Sequence, residues 1–244
     1  MKRHCLVAAV CLIALLSGCA TTGLLQHATP TGFVSKVMTV GGKEMVYSVY
    51  VPRDYTEAKE WPLVIFLHGA GERGSDGLIQ TDVGLGHAIR TNPDRFPCIV
   101  VMPQCPKESS WPQRHDIIDE ALARGLADYH IDKHRVYLTG LSMGGYGTWS
   151  YGAEHADVFA ALLPICGGGK TSDAAALAKV PIRVFHGGSD SVVKVENSRT
   201  MVEAVKAAGG VIDYTEYPGV DHNSWDQTYG DPEVIKWLLA QKKK

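Results

Sequence analysis

Three residues scattered along the chain are of the types needed for nucleophilic chemistry: Ser142, Asp190 and His222. Ser142 sits in Gly140-Leu141-Ser142-Met143-Gly144, a G-x-S-x-G pattern. A serine hydroxyl is a poor nucleophile until a base takes its proton during attack. The pattern meets a geometric need, because the serine must ride a sharp strand-to-helix turn whose neighbouring backbone passes too close for a Cβ. Alone it is weak, since roughly one chain in ten of average composition would hold it by chance. Context gives it weight: "RVYLTG" (135–140) reads as a buried strand, and a helical pattern follows at once. No other serine has glycine both two before and two after it.

A serine on such a turn demands an acid at the end of a later strand and a histidine beyond the last one, in that chain order. Of the histidines after Ser142, only His222, in "YPGVDHNSWDQTY", lies past the last expected strand. Asp190, in "HGGSDSVV", directly follows the strand "IRVFHG", with Asp173 and Glu196 as nearby competitors. Asp221 adjoins His222, but a carboxylate next in sequence rarely orients the ring, so it ranks low. Negative charge developing on the substrate needs backbone N–H donors. Met143, after the nucleophile, supplies one; Ala70, in the turn His68-Gly69-Ala70-Gly71 after "PLVIFL", is the choice for the other. His68 and His186 read as structural. Glu72, Arg73 and Trp111 follow the strands flanking that turn and are candidates for the mouth of the site, with Trp111 either exposed for stacking on a sugar or aromatic group or packing its loop.

These residues need a scaffold. "FVSKVMTV" and "EMVYSVYVP", split by Gly41-Gly42, read as an antiparallel hairpin. "PLVIFL" (62–67), "CIVVMP" (98–103), "RVYLTG" (135–140), "FAALLPI" (159–165) and "IRVFHG" (182–187) are continuous apolar runs of the kind found in strands covered on both faces. "VIDYTEYPG" (211–219) closes the series. Helical patterns fall at 116–130, 143–155, 195–210 and 231–241. Strands alternating with helices predict an α/β fold with a mostly parallel, doubly wound sheet and no large cap domain. The glycine-rich stretch 68–97 is the one long excursion.

The chain has 244 residues and a formal net charge of −2, with basic residues dispersed apart from Lys242–Lys244, which excludes an electrostatic footprint for nucleic acid. Residues 1–18 read as a secretory signal: a basic start, an apolar run too short to span a membrane, then small residues. Leu16-Ser17-Gly18-Cys19 resembles the bacterial lipobox, so Cys19 is the expected lipidation site, residues 19–32 an anchor and linker, and 33–244 the catalytic domain. The protein is then expected in the cell envelope, held to the outer membrane by its lipid anchor. Cleavage after Ala20 would instead release a soluble secreted or periplasmic form. With Cys5, Cys11 and Cys19 set aside, Cys98, Cys105 and Cys166 remain, read either as three buried thiols or with a Cys105–Cys166 bridge. No ligand spacing for a metal is present, and no cofactor is called for.

Taken together, "FLHGAGERGSD", "TGLSMGGYGTW", "LPICGGG", "FHGGSD" and "GVDHNSWDQTYGDPEVIKWLL" resemble the small secreted α/β-hydrolase esterases, related to phospholipase/carboxylesterase, feruloyl-esterase and acetyl-xylan-esterase-like enzymes and also labelled prolyl-oligopeptidase-like. The likeness spans about residues 33–241. It implies a serine carboxylic-ester hydrolase with nucleophile Ser142, acid Asp190 and base His222, acting on small or polysaccharide-linked acetyl or feruloyl esters. The position before the histidine is often glycine in such sequences; here it is Asp221. Two other readings stand beside this one: a prolyl-oligopeptidase-like peptidase, which lacks any segment for the accessory propeller, and a catalytically silent lipoprotein that binds a glycan or partner.

Overall fold

The computed structural model describes residues 29–243, so the signal segment and Cys19 lie outside the described residues. In chain order the strands are β1 (Gly32–Val40), β2 (Lys43–Val51), β3 (Trp61–Leu67), β4 (Ile99–Met102), β5 (Ile131–Leu141), β6 (Ala161–Ile165), β7 (Ile182–Gly187) and β8 (Ile212–Tyr217). The helices are α1 (Leu85–Thr91), α2 (His115–Asp128), α3 (Met143–Glu154), α4 (Ala174–Leu177), α5 (Glu196–Ala207), α6 (Trp225–Gly230) and α7 (Pro232–Ala240). All eight strands join one sheet in the order β1-β2-β4-β3-β5-β6-β7-β8. β1 and β2 form the expected hairpin, with Gly41 and Gly42 both at positive φ (56° and 79°), as a two-residue turn of the strand-matching hand requires. β2 is antiparallel to β4, and every later neighbour pair is parallel.

Alternate residues of the central strands feed two cores. In β3, Leu63, Ile65 and Leu67 enter one, with Ile117, Trp149 and Met201 from α2, α3 and α5. Val64 and Phe66 enter the other, with Ile89, Tyr229 and Leu238 from α1, α6 and α7. Helices therefore cover both faces, and the strand sequences are continuously apolar for that reason. This is the α/β-hydrolase arrangement, with the ends of β3, β5, β7 and β8 opening on one edge, where the site lies.

The structure differs from the sequence pattern in two respects, and it settles one open reading. β5 starts at Ile131, ahead of the apolar run, because its pairing with β3 jumps from Trp61–Ile131 to Leu63–Val136 and accommodates the polar residues 132–134 in an irregularity. The excursion 68–97 contains α1, and the loop after β8 contains α6. Both are short and are held by burial of Leu85, Ile89 and Tyr229 rather than by helix propensity. Cys98, Cys105 and Cys166 are all free and buried, so the bridge left open between the last two does not form.

Candidate active site

Ser142 is the single residue between β5 and α3, at φ 54° and ψ −116°, a backbone conformation that side chains rarely tolerate. The two glycines of its motif are explained by distance. A Cβ on Gly140 would lie 2.4 Å from Gly144 O, and one on Gly144 would lie 1.9 Å from Leu67 O. The turn is fixed from below as well, since Ser142 donates its N–H to Ile165 O at 3.0 Å and accepts from Tyr146 N–H at 3.1 Å. Tyr229 OH and Thr139 Oγ1, 2.8 Å apart, close the space beneath β5.

From this turn a hydrogen-bonded relay runs outward. His222 Nε2 lies 2.9 Å from Ser142 Oγ, and His222 Nδ1 lies 2.7 Å from Asp190 Oδ2. A carboxylate accepts the Nδ1 proton, which leaves Nε2 as acceptor for the serine hydroxyl. Burial alone would raise the pKa of Asp190, whose side chain is 0% exposed. Hydrogen bonds from His222 and from the N–H groups of Val193 and Val192 outweigh that and hold it below the usual carboxylate range. The structure thus brings Ser142, Asp190 and His222 together. Glu196, a competitor in sequence, pairs instead with Arg199 at 3.0 Å.

The turn after β3 packs against the serine. A Cβ on Gly69 would stand 2.9 Å from Leu141 Cδ1 and 3.6 Å from Ser142 Cβ. Ala70 opens a short 3-10 turn there, and Met143 opens α3. Among the described residues no protein acceptor takes the N–H of Ala70 or of Met143. Met143 also lies at the positive end of the α3 dipole, which favours negative charge. His68 anchors this turn: its Nε2 accepts from Cys105 N–H at 2.9 Å, so its Nδ1 carries the proton and donates to Gly69 O at 2.6 Å. Burial pushes His68 down to about 4, and it stays neutral.

Trp111 corrects an expectation. Its side chain is fully buried, donates from Nε1 to His68 O at 2.9 Å and meets the His68 ring edge-on, so it offers no face to a substrate and packs the loop instead. The Arg73 guanidinium is occupied by the carbonyls of Ala70 (3.0 Å) and Ser109 (3.3 Å), stapling the turn to the next loop. Glu72 has a buried Oε2 with no hydrogen-bond partner, 4.0 Å from His68 Nδ1, and burial raises its carboxyl above the ordinary value.

One residue that sequence reasoning passed over touches the site. Trp225 meets the His222 ring edge-on at 5.2 Å and lines a cavity of about 780 Å³ together with Asp82, Gly84, His87, Arg95 and Tyr229. Its place three residues past the histidine and one past Ser224 was the only available signal. His186, read as structural, is buried with Nδ1 bonded to Ser198 Oγ at 2.7 Å and Nε2 to Val193 O at 2.9 Å, and it packs beside Asp190 Oδ2 at 3.1 Å. Cys166 Sγ lies within 4.8 Å of ligand atoms of Asp190 and His222. Burial pushes that thiol up to about 12, and the other two groups are engaged with each other.

Comparison with known proteins agrees with this architecture. Residues 91–231 match the model of the dienelactone hydrolase family. The crystal structure of a thermostable esterase is 38% identical, with a TM-score of 0.79, covering 86% of this chain and 63% of that one. A feruloyl esterase module from Clostridium thermocellum complexed with sinapinate shares the fold at 18% identity and a TM-score of 0.70, covering 86% of this chain and 88% of that one. A protein of Methylorubrum extorquens named as a carboxymethylenebutenolidase is 31% identical over 118 residues, 43% of this chain and 39% of its own length. The chain therefore spans less than two thirds of the esterase and of the curated relative. With its fold, its serine turn and more than half of its length matched, the chain belongs to the dienelactone hydrolase family.

Proposed function

We propose that this protein is a serine carboxylic-ester hydrolase. In the first half-reaction Ser142 Oγ attacks the ester carbonyl carbon while His222 Nε2 takes the hydroxyl proton. Asp190, ionised and hydrogen-bonded to Nδ1, holds the ring and stabilises its positive form. The carbonyl oxygen, now carrying the charge, is received by the N–H groups of Ala70 and Met143. His222 returns the proton to the leaving alcohol, and an acyl-enzyme remains. Water then repeats the sequence: His222 takes its proton, the tetrahedral intermediate collapses, and Ser142 is released with the free acid. The observation that carries this reading is the unbroken relay of 2.7 and 2.9 Å from Asp190 through His222 to a serine on a strained turn.

The substrates we propose are small or polysaccharide-linked acetyl or feruloyl esters. Trp225 supports this: edge-on to His222, it joins the site to a neighbouring cavity lined by Asp82, Asn92, Arg95 and Asp226 and by none of the three relay residues, and that lining suits a hydroxyl-rich or phenolic group. The name of a further relative points the same way: a bifunctional acetylxylan esterase/xylanase of Neocallimastix patriciarum, 34% identical over 90 residues, 37% of this chain and 12% of its own length. We also propose attachment to the envelope through a lipid on Cys19. Mass spectrometry of the mature N-terminus, with Cys19→Ala released from membranes, tests that part. The enzymatic reading is tested with p-nitrophenyl acetate, butyrate and octanoate and methyl ferulate, beside Ser142→Ala and a fluorophosphonate probe. Hydrolysis and labelling that both vanish with Ser142 are expected. Hydrolysis surviving in Ser142→Ala would overturn it.

A further inference from the structure

Asp221 spends its carboxylate on the junction between two loops. Its Oδ1 accepts the backbone N–H of Ser191 at 2.8 Å, the Ser191 hydroxyl at 2.9 Å and the backbone N–H of His222 at 2.8 Å. Its Oδ2 lies 3.2 Å from the same hydroxyl. Three donors thus converge on one oxygen, two from the residue after Asp190 and one from His222 itself. The backbones already meet here: Ser189 N–H donates to Val220 O at 2.9 Å, and a Cβ on Gly187 would fall 2.3 Å from Asp221 O. Asp221 is exposed, so core packing does not account for a carboxylate at this point. The bonds from Ser191 and His222 hold its carboxyl below the usual range, so it stays charged at neutral pH.

We propose that Asp221 is a positioning residue: through Ser191 it clasps the loop bearing Asp190 to the loop bearing His222, and so fixes the separation of acid and base. The proposal rests on the ester-hydrolase reading above. The acid–base bond is 2.7 Å, and both residues sit on loops, three residues past the end of β7 and five past the end of β8. A misplacement of about 1 Å can lower a rate by about a hundredfold; here the backbone bonds remain, so a smaller loss, about tenfold in kcat, is expected when the clasp is cut.

The test compares kcat and KM for p-nitrophenyl acetate, and the melting temperature, in the full chain purified in mild detergent. The variants are Asp221→Ala, Asp221→Asn, Ser191→Ala and the Asp221→Ala/Ser191→Ala double. Asp221→Ala should lose about tenfold in kcat with KM little changed. Asp221→Asn keeps an acceptor oxygen and should recover most of the loss. The double variant should be no worse than Asp221→Ala, since both cut the same link. Should Asp221→Ala melt early, the Asn and Ser191 variants still decide. An Asn variant as slow as the Ala variant, losses that multiply in the double, or an unchanged kcat in Asp221→Ala overturns the clasp alone. A wild type that neither turns over the ester nor takes up a fluorophosphonate overturns the hydrolase reading, and the clasp with it.

Discussion

The backbone of Ser142 predicts an inverted order of stability for two variants that both lack its hydroxyl. At φ 54° and ψ −116° a residue with a Cβ stores about 1–3 kcal/mol of local strain. Ser142→Ala and Ser142→Gly both lose the hydroxyl bonded to His222, so that loss cancels between them. Glycine relieves the strain but frees the unfolded chain, an entropic penalty of about 0.5–1 kcal/mol. The difference leaves Ser142→Gly at least as stable as Ser142→Ala, by up to about 2.5 kcal/mol, a gap in melting temperature of up to about 10 °C for a chain of this size. Urea denaturation at neutral pH measures it, provided the two variants share an m-value. At an ordinary position alanine is the more stable of the two. If Ser142→Ala proves the more stable by about 1 kcal/mol, Ser142 is unstrained and its turn does not have this geometry.

Three other outcomes follow from the same structure. Trp111→Phe should lower stability by about 1–3 kcal/mol, because it leaves the buried His68 carbonyl without its indole donor, while KM stays near wild type; a raised KM at unchanged stability would restore a substrate-stacking role. His68 falls from 6.5 to about 4 on folding, so between those values the unfolded chain takes up a proton that the folded chain refuses. Its contribution of about 3 kcal/mol is therefore present above that window and lost as pH falls through it, and His68→Gln should flatten this part of the stability-against-pH curve. Finally, burial raises Cys98 and Cys166 to about 12 and Cys105 to about 11, so iodoacetamide at neutral pH should leave all three intact until denaturant is added.

The parallel strands could be read because burial on both faces leaves an uninterrupted apolar signature, and the relay residues because chain order and strand ends restrict them to few positions. Trp111 stayed open between two readings because a tryptophan in a polar loop, "ESSWPQRH", looks exposed. Its burial comes from His68 and Gly147, the second of which would press a Cβ to 2.5 Å from Trp111 Cβ, and both are distant in sequence. Short helices such as α6 carry no periodic pattern, being held by Tyr229 reaching Thr139 across 90 positions. Trp225 and the Asp221–Ser191 bonds were invisible for the same reason: their meaning lies in which loops the sheet brings side by side.

The glycines of α3 have a kinetic consequence. The helix MGGYGTWSYGAE holds four glycines in 12 residues, each about 1 kcal/mol less favourable than alanine in a helix. By itself this segment has little reason to be helical. It becomes so where Gly144, Gly145 and Gly147 let it lie directly on Leu67, Ile165 and Trp111, atoms drawn from three separate parts of the chain. The Ser142 turn is therefore assembled late, after β3, β5 and β6 have paired. During refolding, recovery of fluorophosphonate reactivity should lag recovery of far-ultraviolet ellipticity, and no fragment that omits β3 should ever acquire it.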